Sequence, residues 1–340
     1  MDIVDHTTHV SVVIPVFNRR DLVVEAIDSV FAQESASLKV EVIVVDDSST
    51  DDTLAVLGIR YGKDSRVRIL SNIRSKGPAG ARNSGILSAK SPFLAFLDSD
   101  DLYLPGHLAA ALEVFNKYPH VGLIFGRMLC EKNGVELLRP MSVFEKTILR
   151  APKLIEDKNT IIFSPDYFMH LLETGCYFGL CSVVMRTEAA QQLMNENLGS
   201  SEDYEFWLRM SRILVFACLK EPQVCVRRNG ENLSTEDPER VTKNHLLACR
   251  LVLTYKDLSS VEKKLINKRI ANASFDLAFC YTRNGCSIKA LGYNIQSIRY
   301  GLIWHNLFAI AKLPIRGIIG VLKNFKNLIA GSRSLLLGIN

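Results

Sequence analysis

Four short apolar runs alternate with helical patterns over the first hundred residues, and each run ends in polar side chains. The runs are VSVVIPV (10–16), VEVIVVDD (40–47), VRILSN (67–72) and PFLAFLD (92–98). Between the first two lies DLVVEAIDSVFAQ (21–33), which sets Leu22, Ala26, Ile27, Val30 and Phe31 on one face at helical spacing. STDDTLAVLGIRYG opens with Ser and Asp, which cap helix N-termini, and AGARNSGILSAK reads as a further helix. Near-continuous apolar strands separated by helices specify an α/β fold, a mostly parallel sheet with helices on both faces. In such open sheets ligands bind beyond the carboxyl ends of the strands.

That rule gathers the polar residues. The first run ends in PVFNR, the second in Asp46 and Asp47, and the third in Asn72 and the Gly-rich loop NIRSKGPAGARN. The fourth ends in Asp98, Asp100 and Asp101. A buried, unpaired carboxylate costs several kcal/mol or becomes neutral. The three acids therefore leave the sheet for a cleft, or they hold something cationic. Two carboxylates two residues apart suit a hard divalent ion such as Mg²⁺ or Mn²⁺; a solvated turn with a capping Asp is the plainer alternative. Asp46 and Asp47 carry the same ambiguity, since either can cap the STDDT helix. The KGPAGARNSG loop does not match the P-loop pattern and by itself is an ordinary helix start.

Further along, VGLIFGRMLC (121–130) and CSVVMR (181–186) read as strands and 131–165 as loop-rich. SSEDYEFWLRM starts a helix at Glu202-Asp203, with Ser200 or Ser201 as N-cap. An acidic pair there favours the helix dipole, or supplies a general base. From about 240 the pattern is helical. We expect a catalytic domain over 1–237 and a helical region over 238–340.

Hydrophobic residues make up 48% of the chain and charged ones 23%, which excludes a disordered protein. The net charge is +5, but residues 277–340 hold eight Lys or Arg and no acid, leaving −3 on the rest. The eight cysteines show no CxxC pair and no zinc-ligand spacing, and MDIVDHTTHV is not a secretory leader. Reduced thiols and a cytoplasmic setting are expected.

Each of these signals is weak alone, but their order is specific. VSVVIPVFNR, VEVIVVDDSSTDDT, GPAGARNSGI, FLAFLDSDD, SSEDYEFWLRM and RRNGENLS together resemble the family 2 glycosyltransferases over about residues 9–235. The resemblance implies a GT-A fold and transfer of a sugar, with inversion, from a nucleotide-sugar, UDP-sugars being the first expectation. The acceptor would be a glycan or a lipid-linked glycan. By the same resemblance Pro15, Asn18, Asp46, Asp47, Arg82 and Asp98 contact the nucleotide-sugar, Asp100 with Asp98 holds Mg²⁺ or Mn²⁺, and Asp203 is the base. Glu202 then orients the loop or the acceptor. Where many relatives carry a His near 226–234, this chain has Asn229, which removes a metal ligand and leaves Arg227 to meet the diphosphate.

The segment 302–330 is apolar and basic. Lys312, Pro314 and Arg316 interrupt it before it reaches the roughly 18–20 residues that span a bilayer. It reads as an interfacial helix giving peripheral contact at the inner face of the plasma membrane, or as a helix packed on the domain. Two other functions fit the sequence less well. A sugar nucleotidyltransferase would carry its Gly-rich basic signature after the first strand, where FNRRDL stands. A non-catalytic sugar-nucleotide scaffold would tolerate loss of Asp100 or Asp203, yet both are present. No nucleic-acid partner is expected, because the basic tail is apolar.

Overall fold

The computed structural model of the chain describes residues 7–228 and 237–301. It divides into two compact units, Met1–Glu236 and Asp237–Asn340. The first unit opens with β1 (Thr8–Val16), α1 (Leu22–Phe31), β2 (Leu38–Asp46), α2 (Thr53–Tyr61), β3 (Val67–Ser71), α3 (Pro78–Ser88) and β4 (Phe93–Phe96). β2 and β4 flank β1 and run parallel to it, and β3 runs parallel to β2, so the order is β3-β2-β1-β4. The expected α/β sheet is present because its central strands β1 and β2 are apolar on both faces: Val10, Val12, Val13, Ile14, Val42, Ile43, Val44 and Val45 are all buried. The chain builds outward from β1 to β3, then returns to the other side of β1. β1 and β4 thus border a topological switch point, where a crevice opens at the strand ends.

Beyond β4 follow β5 (Leu102–Tyr103), α4 (His107–Lys117), β6 (Val121–Lys132), β7 (Val135–Glu136) and α5 (Leu138–Ile148). Next are β8 (Lys153–Glu156), β9 (Thr160–Phe163), α6 (Tyr167–Thr174), β10 (Val184–Arg186), α7 (Thr187–Ala190), α8 (Glu202–Met210) and β11 (Val215–Arg227). β10 pairs antiparallel with both β4 and β6, and β6 lies parallel to β11, so the sheet is mixed. The stretch 131–165 is not loop-rich: it holds α5 and the β8–β9 hairpin. β9 is only four residues long, and its place is set by pairing Ile162 with Ala217 of β11, a non-local contact. The CSVVMR strand is shorter than expected, since Leu180–Ser182 form a 3-10 turn and pairing begins at Val184.

An aromatic core braces this half. Phe125 stacks on Phe178 at 3.9 Å and on Phe163 at 5.8 Å, and Phe163 on Tyr167 at 4.1 Å. Fully buried Trp207 of α8 joins it through Phe178, which anchors the helix that begins with Glu202 and Asp203.

The second unit contains α9 (Pro238–Val252), α10 (Ser260–Arg283) and α11 (Ser287–Arg299). In α10 a capping box is complete: Ser259 Oγ accepts from the Glu262 amide, and the Glu262 carboxylate accepts from the Ser259 amide. The residues 302–330, expected to meet a membrane, lie outside the described residues. Among the described residues no helix is long and apolar enough to cross a membrane.

Candidate active site

All four strand-end clusters meet at one edge of the sheet. At the end of β1, Asn18 takes a left-handed conformation (φ 50°), and its side-chain oxygen accepts from the Thr50 amide at 2.7 Å. Its own amide donates to Ser49 Oγ at 3.0 Å. The loop after β2 is thereby tied to β1, beside half-buried Pro15. Asp46 accepts from the Ser49 amide, and Asp47 accepts from Asn72 Nδ2 at 2.6 Å and the Gly77 amide at 2.8 Å. Neither caps α2, whose N-cap Asp52 makes no side-chain cap bond; Asp51 accepts from the Thr53 amide at 3.0 Å in the turn before it. Asp47 instead fastens the loop that leads into α3.

The glycines of that loop have structural reasons. Gly77 has φ 118°, and a Cβ on Gly80 would stand 1.9 Å from the Ser75 carbonyl oxygen. A Cβ on Gly85 would stand 2.3 Å from Val13 of β1. α3 therefore lies hard against the sheet and delivers Arg82 into the cleft, 7% exposed. Arg82 donates to Asp98 Oδ1 at 2.8 Å and to Glu202 Oε1 at 2.7 Å. One cation thus joins the acid after β4 to the acid that opens α8. Its Nε is buried and has no hydrogen-bond partner among the described residues.

Asp203 follows at the second position of α8, after Ser201 in a left-handed conformation (φ 61°) with no side-chain cap. Such backbone strain is commonest at functional sites. Loss of hydration, and then the charge of Glu202, push the Asp203 carboxyl up to about 6, against the pull of the Tyr204 amide and Arg82. Burial and then the charge of Asp98 also raise Asp100, despite Arg19 and Arg227. Asp101 is buried and raised well above the usual carboxylate range by burial and by Asp98 and Asp100.

Arg227, the residue expected to meet the diphosphate, lies at the end of β11. It is 8% exposed and works behind the acidic loop. Its Nε donates to the Asp100 carbonyl at 2.6 Å, its amide donates to Asp101 Oδ1 at 3.1 Å, and its guanidinium pairs with Glu25. Asn229 lies outside the described residues.

Three side chains were not singled out by their sequence. Glu25 fixes Arg227. Phe17, 43% exposed, carries Lys76 5.0 Å from its ring centroid at the cleft mouth. Glu196 accepts from Asn83 Nδ2 at 2.7 Å and pairs with Arg74, while Asn83 also exchanges hydrogen bonds with the Met194 backbone. That staple joins the loop before α3 to the segment before α8. Only the polar ARN triplet on an otherwise small-residue helix hinted at it.

The donor set suits a hard cation in part. Among the described residues no three His, Cys, Asp or Glu side chains gather as a metal cluster. The Asp98–Asp100 pair supplies carboxylate oxygens, and the upward push on Asp100 is what a nearby cation would relieve. The residues therefore fit an ion whose remaining ligands are substrate and water oxygens.

Comparison with known proteins decides the family. Residues 11–178 match the sequence profile of Glycosyl transferase family 2. The chain belongs to this family. An uncharacterized glycosyltransferase of Rickettsia felis is 30% identical over 267 residues, 78% of this chain and 40% of that protein. The GalNAc(5)-diNAcBac-PP-undecaprenol beta-1,3-glucosyltransferase of Campylobacter jejuni is 40% identical over 126 residues, 36% of this chain and 39% of that protein. The crystal structure of Staphylococcus aureus TarS 1-349 in complex with UDP-GlcNAc superposes with a TM-score of 0.62 at 20% identity, covering 86% of this chain and 83% of that one. The family 2 chain thus has the GT-A fold. It spans less than half the length of the first curated relatives it matches.

Proposed function

We propose that this family 2 chain transfers a sugar from a nucleotide-sugar, first of all a UDP-sugar, to a hydroxyl of a glycan or lipid-linked acceptor, with inversion. The observation that carries the proposal is the Asp98–Arg82–Glu202 bridge, which sets the acid pair after β4 beside Asp203 in one cleft. Pro15, Asn18, Asp46 and Asp47 form the nucleoside end. Asp203 takes the proton of the acceptor hydroxyl; a carboxyl held at about 6 is mostly ionised at neutral pH yet more basic than an ordinary Asp. Arg82 keeps Asp98 and Glu202 in place, and Arg227 with Glu25 keeps the Asp100–Asp101 turn in place. Asp100 and Asp98 would hold Mg²⁺ or Mn²⁺, which offsets negative charge on a departing diphosphate when bound.

Support for the donor class comes from the TarS structure with UDP-GlcNAc, and for the acceptor class from the undecaprenol-linked name of the Campylobacter relative. The deciding experiment is calorimetric titration with UDP, with and without Mn²⁺, on the native chain and on Asp100→Ala. We expect Mn²⁺-dependent binding that weakens by about tenfold or more in Asp100→Ala, the loss of about one charge-assisted contact. Absence of binding to UDP, GDP and dTDP alike would overturn the nucleotide-sugar reading and favour a scaffold role.

A further inference from the structure

The C-terminal unit contains a cavity of about 420 Å³ among α9, α10 and α11. Pockets of this volume accommodate small organic ligands. Lys243 and Arg250 of α9, Tyr281 of α10, and Lys289, Tyr293 and Gln296 of α11 line it. Lys289, Tyr293 and Gln296 recur at i, i+4 and i+7, and Lys243 and Arg250 at i and i+7, so each set shares one helix face. Exposed Gly292 also borders the pocket, and a Cβ there would meet nothing within 4 Å.

Charge and hydrogen bonding in this cavity are unbalanced in one direction. Residues 237–301 hold eleven Lys or Arg against five Asp or Glu. Three cations line the cavity. The carboxylate beside it, Glu239, is already engaged by Lys243 at 2.6 Å and by the Tyr281 hydroxyl at 2.7 Å. The Lys289 ammonium lies 5.2 Å from the Tyr281 ring centroid. Tyr281 and Tyr293 stack at 5.5 Å with 10° between their planes. Gln296 lines the cavity, while its Nε2 is buried with no hydrogen-bond partner among the described residues. A buried donor without an acceptor costs about 1–3 kcal/mol. Three exposed cations around an open pocket lack one component, a multiply charged anionic acceptor.

We propose that this cavity binds a phosphate-bearing ligand. The phosphoryl oxygens accept from Lys243, Arg250 and Lys289, and half-buried Tyr293 offers a ring to the group that carries the phosphate. A carboxylate would serve fewer of these donors, since phosphate brings three or more oxygens and up to two charges. The proposal is independent of the transferase reading, because its test uses neither donor nor acceptor.

The test follows acetylation of Lys243 and Lys289 in the full chain by mass spectrometry, with EDTA present and inorganic pyrophosphate as the probe. Exposed Lys39 in the catalytic unit is the internal control. Pyrophosphate should slow both cavity lysines and leave Lys39 unchanged. Arg250→Glu should move the protection midpoint up by about tenfold. Arg250 is exposed, so its replacement leaves the helix packing intact. Inorganic phosphate and vesicles containing phosphatidic acid separate a soluble phosphate from a lipid headgroup: protection by either, lost in Arg250→Glu, supports the site and names its source. Unchanged acetylation with all three probes, or protection that survives Arg250→Glu, would overturn the proposal.

Discussion

Glu202→Gln tests how the acid pair of α8 is tuned. Asp203 stands at about 6 against an ordinary 3.8, with burial the first cause and the Glu202 charge the second. Two like charges about 6 Å apart at an effective dielectric of about 40 repel by about 1.4 kcal/mol, or about one pH unit. The amide is nearly isosteric; it removes that repulsion and the ionic part of the Arg82–Glu202 pair, which leaves Arg82 with more unspent positive charge near Asp203. Both effects lower the Asp203 midpoint, to about 5. At pH 5 the ionised fraction then rises from about one tenth to about one half, so the general-base share of activity rises about fivefold relative to its plateau. The assay is the acid limb of kcat/KM with the donor found by nucleotide titration, together with the Asp203 carboxyl ¹³C shift against pH. A midpoint that stays at 6 or moves up would refute the electrostatic account. A ¹³C midpoint that falls while the rate profile stays fixed would remove Asp203 as the base but leave the electrostatics standing.

Two further predictions concern the bridges that hold the cleft. Arg82→Met leaves Glu202 buried and Asp98 part-buried without their shared cation, and should cost about 3 kcal/mol in urea denaturation; Lys at 82 should restore only part of this, since an ammonium cannot bridge both carboxylates in the guanidinium's geometry. Hydrogen bonds from Asn83, Arg74 and Ser75 outweigh burial and hold the Glu196 carboxyl down at about 2, against 4.5 when free. The stability it contributes is therefore complete above pH 4.5 and is lost as pH falls through 2. Glu196→Gln should lower stability by about 2 kcal/mol at pH 7 and flatten the acid limb of the stability curve, read by thermal unfolding between pH 7 and 3.

The first half of the sheet was legible because its signal is local. β1, β2 and β4 are near-continuous apolar runs and β3 a short one broken by Arg68; each ends where polar residues begin, and the carboxyl-end rule then collects Asn18, Asp46, Asp47 and Asp98–Asp101 without knowledge of any contact. The second half was less so. β9 is four residues, too short for periodicity to separate strand from helix or loop, and its pairing with β11 is set some 55 residues away in the chain. The loop glycines read as an ordinary helix start; the structure assigns Gly80 and Gly85 to close packing against Ser75 and Val13.

Residue types and their local order determined a parallel α/β sheet, an acidic cleft at its carboxyl edge, a helix opening with Glu202-Asp203, and a basic C-terminal region. Side-chain partnership came only with tertiary structure. Arg82 sits between Asp98 and Glu202, 120 residues further on; Glu196 reaches Arg74 across 122 residues; and Arg227 turns to Glu25 and the Asp100 carbonyl. Periodicity and strand-end composition report which way a side chain faces, because they follow from backbone geometry repeated every few residues. Which opposite charge it meets depends on how distant elements pack, and an ion pair's energy depends on that distance and burial, not on sequence separation.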